Sequence, residues 1–162
     1  MALRLATSPY QSPGEIALRR WVWAPAAPPP ACHICATGGL IVRRVGADET
    51  LVAVRAFEAG EPVFAFAHVT WRGERDALTV EDPRGRHVFD PLLARVAHSC
   101  DPNCRPSFDL MALIARRDIS PGETLAFDYL ATESALCAPF DCGCGARACR
   151  GRIERAGPAR GR

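Results

Sequence analysis

The sequence predicts a mainly β fold built from short strands and hairpins, and three observations carry that expectation. Apolar and β-branched residues fall into strand-length runs, Gly, Pro and Asp separate those runs, and no long helical period appears anywhere in the chain. With 162 residues, 48% of them apolar and 23% charged, the chain has the size and composition of one folded domain.

Residues 1–36 mix Ser, Pro, Gln and Ala and end near Pro28, Pro29 and Pro30, so an irregular N-terminal arm is expected there. From Gly38 onward the runs at residues 40–45, 50–55, 62–67, 78–81 and 110–115 read as strands. Residues 90–96 are the best helical candidate, a short one, with Asp90 as cap and Pro91 in the first turn. Residues 51–63 and 113–125 echo one another, each a strand, a corner centred on Gly60 or Gly122, and a second strand. The echo suggests linked hairpins, although common turn chemistry would produce the same likeness.

Charge and hydropathy exclude several classes of function. The net charge of +2 comes from 20 arginines and no lysine, scattered along the chain, so no direct nucleic-acid footprint is expected. No run approaches the roughly 20 apolar residues of a membrane span, and no membrane partner is expected. Arg19 and Arg20 precede Trp21, Val22 and Trp23, but the following prolines break up any signal-like apolar segment, and a cytoplasmic setting is expected. Eight cysteines would suit disulfides in a secreted chain, but their clustering argues for metal.

That clustering is the strongest chemical signal. Cys142, Cys144 and Cys149 lie among glycines, which let the backbone curl until three sulfurs converge on one ion. A tetrahedral site needs a fourth thiolate, and Cys100 offers it on the tight loop of His98, Ser99, Cys100, Asp101, Pro102 and Asn103. Arg105, Arg147, Arg150 and Arg152 are candidates to offset the net charge of about −2 that four thiolates leave around a dication. Cys32 and Cys35 have metal-like spacing without a second pair, while Cys104 and Cys137 read as buried free thiols.

The loop from His98 to Asn103, the segment from Gly122 to Tyr129, and the cysteine tail occur in the order and spacing of the SET-domain lysine methyltransferases with a post-SET zinc motif, which this chain resembles. The resemblance implies a SET (β-clip) fold with a C-terminal pseudoknot, a SET core over residues 37–133, a post-SET zinc segment over 134–155 and a tail over 156–162. It implies S-adenosylmethionine bound beside Ala97, His98, Tyr129 and Phe140, with Tyr129 as the active-site tyrosine. It also implies one structural zinc on Cys100, Cys142, Cys144 and Cys149, and a protein substrate presenting a lysine. Two positions depart from the family pattern: Ala97 stands where Asn is usual, and Asp48, Glu49 and Thr50 stand where a Gly-x-Gly loop is usual. A catalytically silent SET-like module that keeps the zinc is therefore the alternative reading.

Overall fold

The structure, a computed structural model, describes residues 21–22, 38–46 and 48–154. Thirteen short strands are assigned in it: β1 (Trp21–Val22), β2 (Leu40–Val45), β3 (Asp48–Ala53), β4 (Pro62–Ala65), β5 (Thr70–Arg72), β6 (Val80–Glu81), β7 (His87–Phe89), β8 (Ala97–His98), β9 (Cys104–Ser107), β10 (Ala112–Ala115), β11 (Ala126–Phe127), β12 (Phe140–Gly143) and β13 (Arg152–Ile153). They form five small sheets, ordered β2-β3, β4-β10-β9, β5-β7-β6, β11-β8 and β1-β12-β13. The mainly β expectation is met. The rest of residues 1–36, Cys32 and Cys35 among them, and residues 155–162 lie outside the described residues; within that N-terminal stretch Trp21–Val22 pairs in parallel with Cys142 and Gly143, where an irregular arm was expected.

The β2-β3 hairpin keeps continuous register from Leu40 opposite Ala53 to Val45 opposite Asp48. Its far end is buried, at Leu40, Leu51, Val52 and Ala53, and its tip faces solvent. The 90–96 segment does not reach an α-helix; it makes a single 3-10 turn, Leu93–Arg95. Asp90 nevertheless acts as the expected cap, its Oδ1 accepting the N–H groups of Leu92 and Leu93. Buried at 2% exposure, Asp90 also accepts the His68 N–H on Oδ2, and so ties the turn to the segment before β5.

The echo between residues 51–63 and 113–125 proves to be a structural pairing. Phe57 and Ile119 exchange both backbone hydrogen bonds, at 3.0 and 2.9 Å, and lie on a local two-fold relation. Around them each bond has its counterpart 62 positions along the chain (113 − 51 = 62). Gly60 N–H donates to Ala115 O and Gly122 N–H to Ala53 O, while Ala115 N–H donates to Glu61 O and Ala53 N–H to Glu123 O. The side chains follow: Glu61 accepts from Arg55 and the Glu58 N–H, and Glu123 pairs with Arg117 and accepts the Ser120 N–H. Gly60 at φ +87° and Gly122 at φ +92° make both corners, a conformation that costs side-chain-bearing residues energy. Phe57, 1% exposed on this axis, belongs to the main core with Leu51, Leu113, Ile119 and Leu125. Burying a side chain of that size contributes roughly 1.5–3 kcal/mol.

Candidate active site and metal centre

The four cysteines expected to share an ion come together. The sulfurs of Cys100, Cys142, Cys144 and Cys149 all lie within 4.8 Å of one another, and none is in a disulfide. Cys100 and Cys142 are 3.9 Å apart, against edges of about 3.8 Å for a tetrahedron with zinc–sulfur bonds of about 2.3 Å, and about 2 Å for a disulfide. The spacing therefore fits a tetrahedral dication. Gly151, at φ +72°, turns the chain so that its carbonyl accepts the Cys142 N–H and its own N–H reaches the Cys149 sulfur.

The centre is also prepared for negative charge. Burial alone would raise the Cys144 thiol, but backbone N–H groups from Cys100 and Ala146 hold it down to about 6. Burial pushes the Cys142 thiol the other way. Of the arginines expected to offset the charge, Arg150 does so most directly: its backbone N–H lies 3.4 Å and its Nη1 4.0 Å from the Cys100 sulfur. Arg152 is drawn to Asp141 and Glu154 instead.

Strand β8 carries Ala97 and His98 beside the centre. In the parallel β8-β11 pair the N–H groups of Ala97 and Ser99 take the carbonyls of Leu125 and Phe127. The N–H and C=O of His98 are thereby turned to the open edge of this two-stranded sheet, a donor and an acceptor side by side. The imidazole itself is 2% exposed and sits between two other features. Its Nδ1 accepts the Tyr129 backbone N–H at 3.3 Å, which leaves the proton on Nε2, 3.5 Å from the Cys100 sulfur. Burial holds its pKa down to about 4, with Arg150 acting in the same direction and Asp128 opposing, so the ring is neutral near pH 7.

Tyr129 opens a 3-10 turn, Tyr129–Ala131, rather than standing in a strand. Asp128 caps that turn through Oδ1 to the Leu130 N–H. The Tyr129 ring packs 4.8 Å from Phe127, 5.1 Å from His98 and 6.1 Å from Phe140, between ring centroids. Its hydroxyl donates to the Val96 carbonyl at 2.9 Å, and burial, then Glu133, push its pKa well above the ordinary phenol value. The oxygen is a protonated donor already in use, with lone pairs left to accept.

Among the aromatic residues, Phe66 and Phe127 lie in the core, Phe127 touching the site, whereas Trp71 is 46% exposed beneath the Arg86 guanidinium. Glu123 accepts the Ser120 N–H and Asp128 the Leu130 N–H. Cys104 is buried, its thiol pushed up to about 12 by burial, but Cys137 is exposed, contrary to expectation, because the linker to β12 runs along the surface. The Asp48–Thr50 stretch forms the start of β3, with Glu49 held by Arg44 and Arg95. Two features had no sequence signal. One is the bidentate pair of Arg150 with Asp128. The other is a cluster of Glu81, His87 and Glu133 with Arg75, whose guanidinium pairs with both carboxylates and supplies the cation that the cluster needs.

Comparison with known proteins agrees with this architecture. Residues 79–130 match the family model of the SET domain. A 64-residue stretch, 35% of this chain, is 39% identical to 25% of "Probable histone-lysine N-methyltransferase set-23" of Caenorhabditis briggsae. A 44-residue stretch, 26% of this chain, is 44% identical to 9% of "SET domain and MYND-type zinc finger protein 6" of Schizosaccharomyces pombe. The chain therefore spans a quarter or less of the length of these curated relatives. Among solved structures, KRYPTONITE in complex with mCHG DNA and SAH superposes with a TM-score of 0.54 at 24% identity, covering 70% of this chain and 28% of that one. Its complex with mCHH DNA, H3(1-15) peptide and SAH gives 0.51 at 24% identity, covering 70% and 29%. The chain thus shares the fold of these SET-domain structures, and its residues 79–130 match the SET domain.

Proposed function

We propose that this chain is a protein-lysine methyltransferase using S-adenosylmethionine, with one structural zinc on Cys100, Cys142, Cys144 and Cys149. The observation that carries the proposal is the meeting of Tyr129, His98 and Phe140 at the open edge of β8, against the four-cysteine centre. The Phe140 and His98 rings, 5.5 Å apart and nearly perpendicular, offer an apolar wall beside the free backbone donor and acceptor of His98. That combination suits a flat heteroaromatic such as adenine. KRYPTONITE, which shares the fold, is solved with SAH and with an H3(1-15) peptide, and both support the reading.

S-adenosylmethionine, when bound, would supply an electrophilic methyl group on a sulfonium, to be taken by a neutral amine. This chain's own residues exclude water, orient the amine and keep the site free of competing positive charge. His98 is neutral and its Nε2–H is committed to Cys100, so it is no base. Tyr129, protonated and donating to Val96, can only accept, from an amine N–H or weakly from a methyl C–H. A lysine with a free pKa of about 10.4 must then lose its proton through desolvation rather than through a protein base. A pocket of about 330 Å³, lined by Glu81, Asp82, Arg105, Ser107, Phe108, Asp109, Ala131 and Thr132, adjoins the end of the Tyr129–Ala131 turn.

Asp48 and Thr50, which stand where the family carries glycine, favour the silent-module reading, and Glu49 between them is tied to Arg44 and Arg95. Calorimetric titration of the zinc-loaded chain with S-adenosylmethionine, followed by transfer of labelled methyl to a lysine-bearing histone peptide, separates the two. Saturable binding with incorporation is expected. Absence of saturable binding defeats the enzyme reading.

A further inference from the structure

The metal centre and the Tyr129 turn come from separate parts of the chain, and two polar bridges join them at Cys100. One is the His98 imidazole, which reaches the Tyr129 N–H on one side and the Cys100 sulfur on the other. The second is Arg150, next in sequence to Cys149. Its guanidinium grips Asp128 with both arms, Nη1 to Oδ1 at 2.9 Å and Nη2 to Oδ2 at 2.7 Å, while its backbone N–H points at the Cys100 sulfur. Asp128 in turn organises the turn: Oδ1 accepts the Leu130 N–H and its carbonyl accepts the Ala131 N–H.

We infer that Arg150 is a positioning residue that holds the 128–131 turn, and with it Tyr129, in register with the four-cysteine centre. A surface ion pair adds little to stability, but a planar two-armed grip fixes direction as well as distance. Asp128, at 17% side-chain exposure, is the less exposed partner. Burial works to raise its pKa, and the Arg150 hydrogen bonds outweigh it, so the carboxylate stays charged for the grip. The guanidinium Nη1 also lies 4.0 Å from the Cys100 sulfur, so one residue touches both the cysteine centre and the turn.

The site role of Tyr129 rests on the methyltransferase reading, whereas the clamp itself does not, and the test keeps the two apart. Zinc-loaded full chain is compared with Arg150→Ala, Arg150→Lys, Asp128→Asn and the Arg150→Ala/Asp128→Asn double variant. Zinc content, amide hydrogen exchange of residues 128–132 and affinity for S-adenosylhomocysteine are measured on each. Arg150→Ala should keep its zinc, speed exchange in 128–132 by about 10-fold and weaken cofactor affinity to a similar degree; Lys should restore part of both, since it keeps charge without the fork. The double variant should be no worse than either single one, because both remove the same link. If Arg150→Ala loses zinc, Asp128→Asn decides, because it breaks the pair from the end away from the sulfurs and keeps an acceptor for the Leu130 N–H. Unchanged exchange in a zinc-retaining variant, or effects that multiply in the double variant, overturns the clamp. A wild-type chain that binds no S-adenosylhomocysteine defeats the enzyme reading, and the exchange data still judge the clamp.

Discussion

Replacing Tyr129 with Phe removes one oxygen and two different things with it. The ring contacts to Phe127, His98 and Phe140 stay, and so does the backbone N–H bonded to His98. What goes is the hydroxyl donated to Val96 and, with it, the lone pairs that the proposed reaction would use to orient the amine. The first loss costs stability of about 1 kcal/mol, rising to roughly 3 if the Val96 carbonyl stays dry. For a domain of this size the melting temperature should drop by a few degrees, about 2–4 °C per kcal/mol. The second loss costs rate, about 10- to 1,000-fold if the interaction is worth roughly 1.5 to 4 kcal/mol in the transition state. Methyl incorporation assayed near 20 °C, well below unfolding, isolates the catalytic part, and thermal unfolding of the same preparation reads the structural part. A lowered melting temperature with turnover within about threefold of wild type would refute the catalytic role and leave Tyr129 as a brace for Val96.

Two further outcomes test the frame around the site. Cys144→Ser should lower zinc content and thermal stability together and abolish saturable cofactor binding, because Phe140 is set in place by the segment the ion closes; metal analysis with unchanged zinc would remove Cys144 from the ligand set. Glu123 sits lower than an ordinary carboxylate: burial would raise it, but Arg117 and the Ser120 N–H outweigh burial. The unfolded chain therefore takes up this proton at higher pH than the folded chain, so the stabilisation is full above about pH 4.5 and is lost as pH falls through the folded value. The melting-temperature gap between wild type and Glu123→Gln should shrink as pH falls from 6 to 3, and a constant gap would contradict the assignment.

What could be read from the sequence depended on how locally each feature is determined. The cysteine tail was legible because glycine spacing lets a few residues wrap an ion without help from the fold. Strand β2 was legible at both ends because its run is long enough to show a pattern. Strands β8, β11 and β13 were not, since two residues leave no periodicity and their pairing is set by distant partners. Cys137 was misjudged because nothing in its neighbours tells whether the linker lies against the core or along the surface. Asp128 and Arg150 are 22 positions apart, and among several arginines near the tail no local rule selects the one that reaches the turn.

The two-fold relation of the corners shows where function departs from the frame. Beyond the corners, Pro62 pairs with Ile114, and its counterpart Thr124 pairs with Val52, so the symmetry still holds at that step. In the first copy pairing continues, with Phe64 opposite Leu113 and Ala65 opposite Ala112. In the second, Ala126 and Phe127 do not continue along β3; they pair in parallel with Ala97 and His98. Buried Asn103 makes that departure possible, its Oδ1 accepting the Ala126 N–H and its Nδ2 donating to the Thr124 carbonyl, so the strand leaves one partner without an unpaired buried donor. The position matching Tyr129 in the first copy is Ala67, which has neither ring nor hydroxyl. A repeated structural corner is thus turned into a site in one copy only, by an exchange of strand partners that brings His98, Cys100 and Tyr129 within reach of one another.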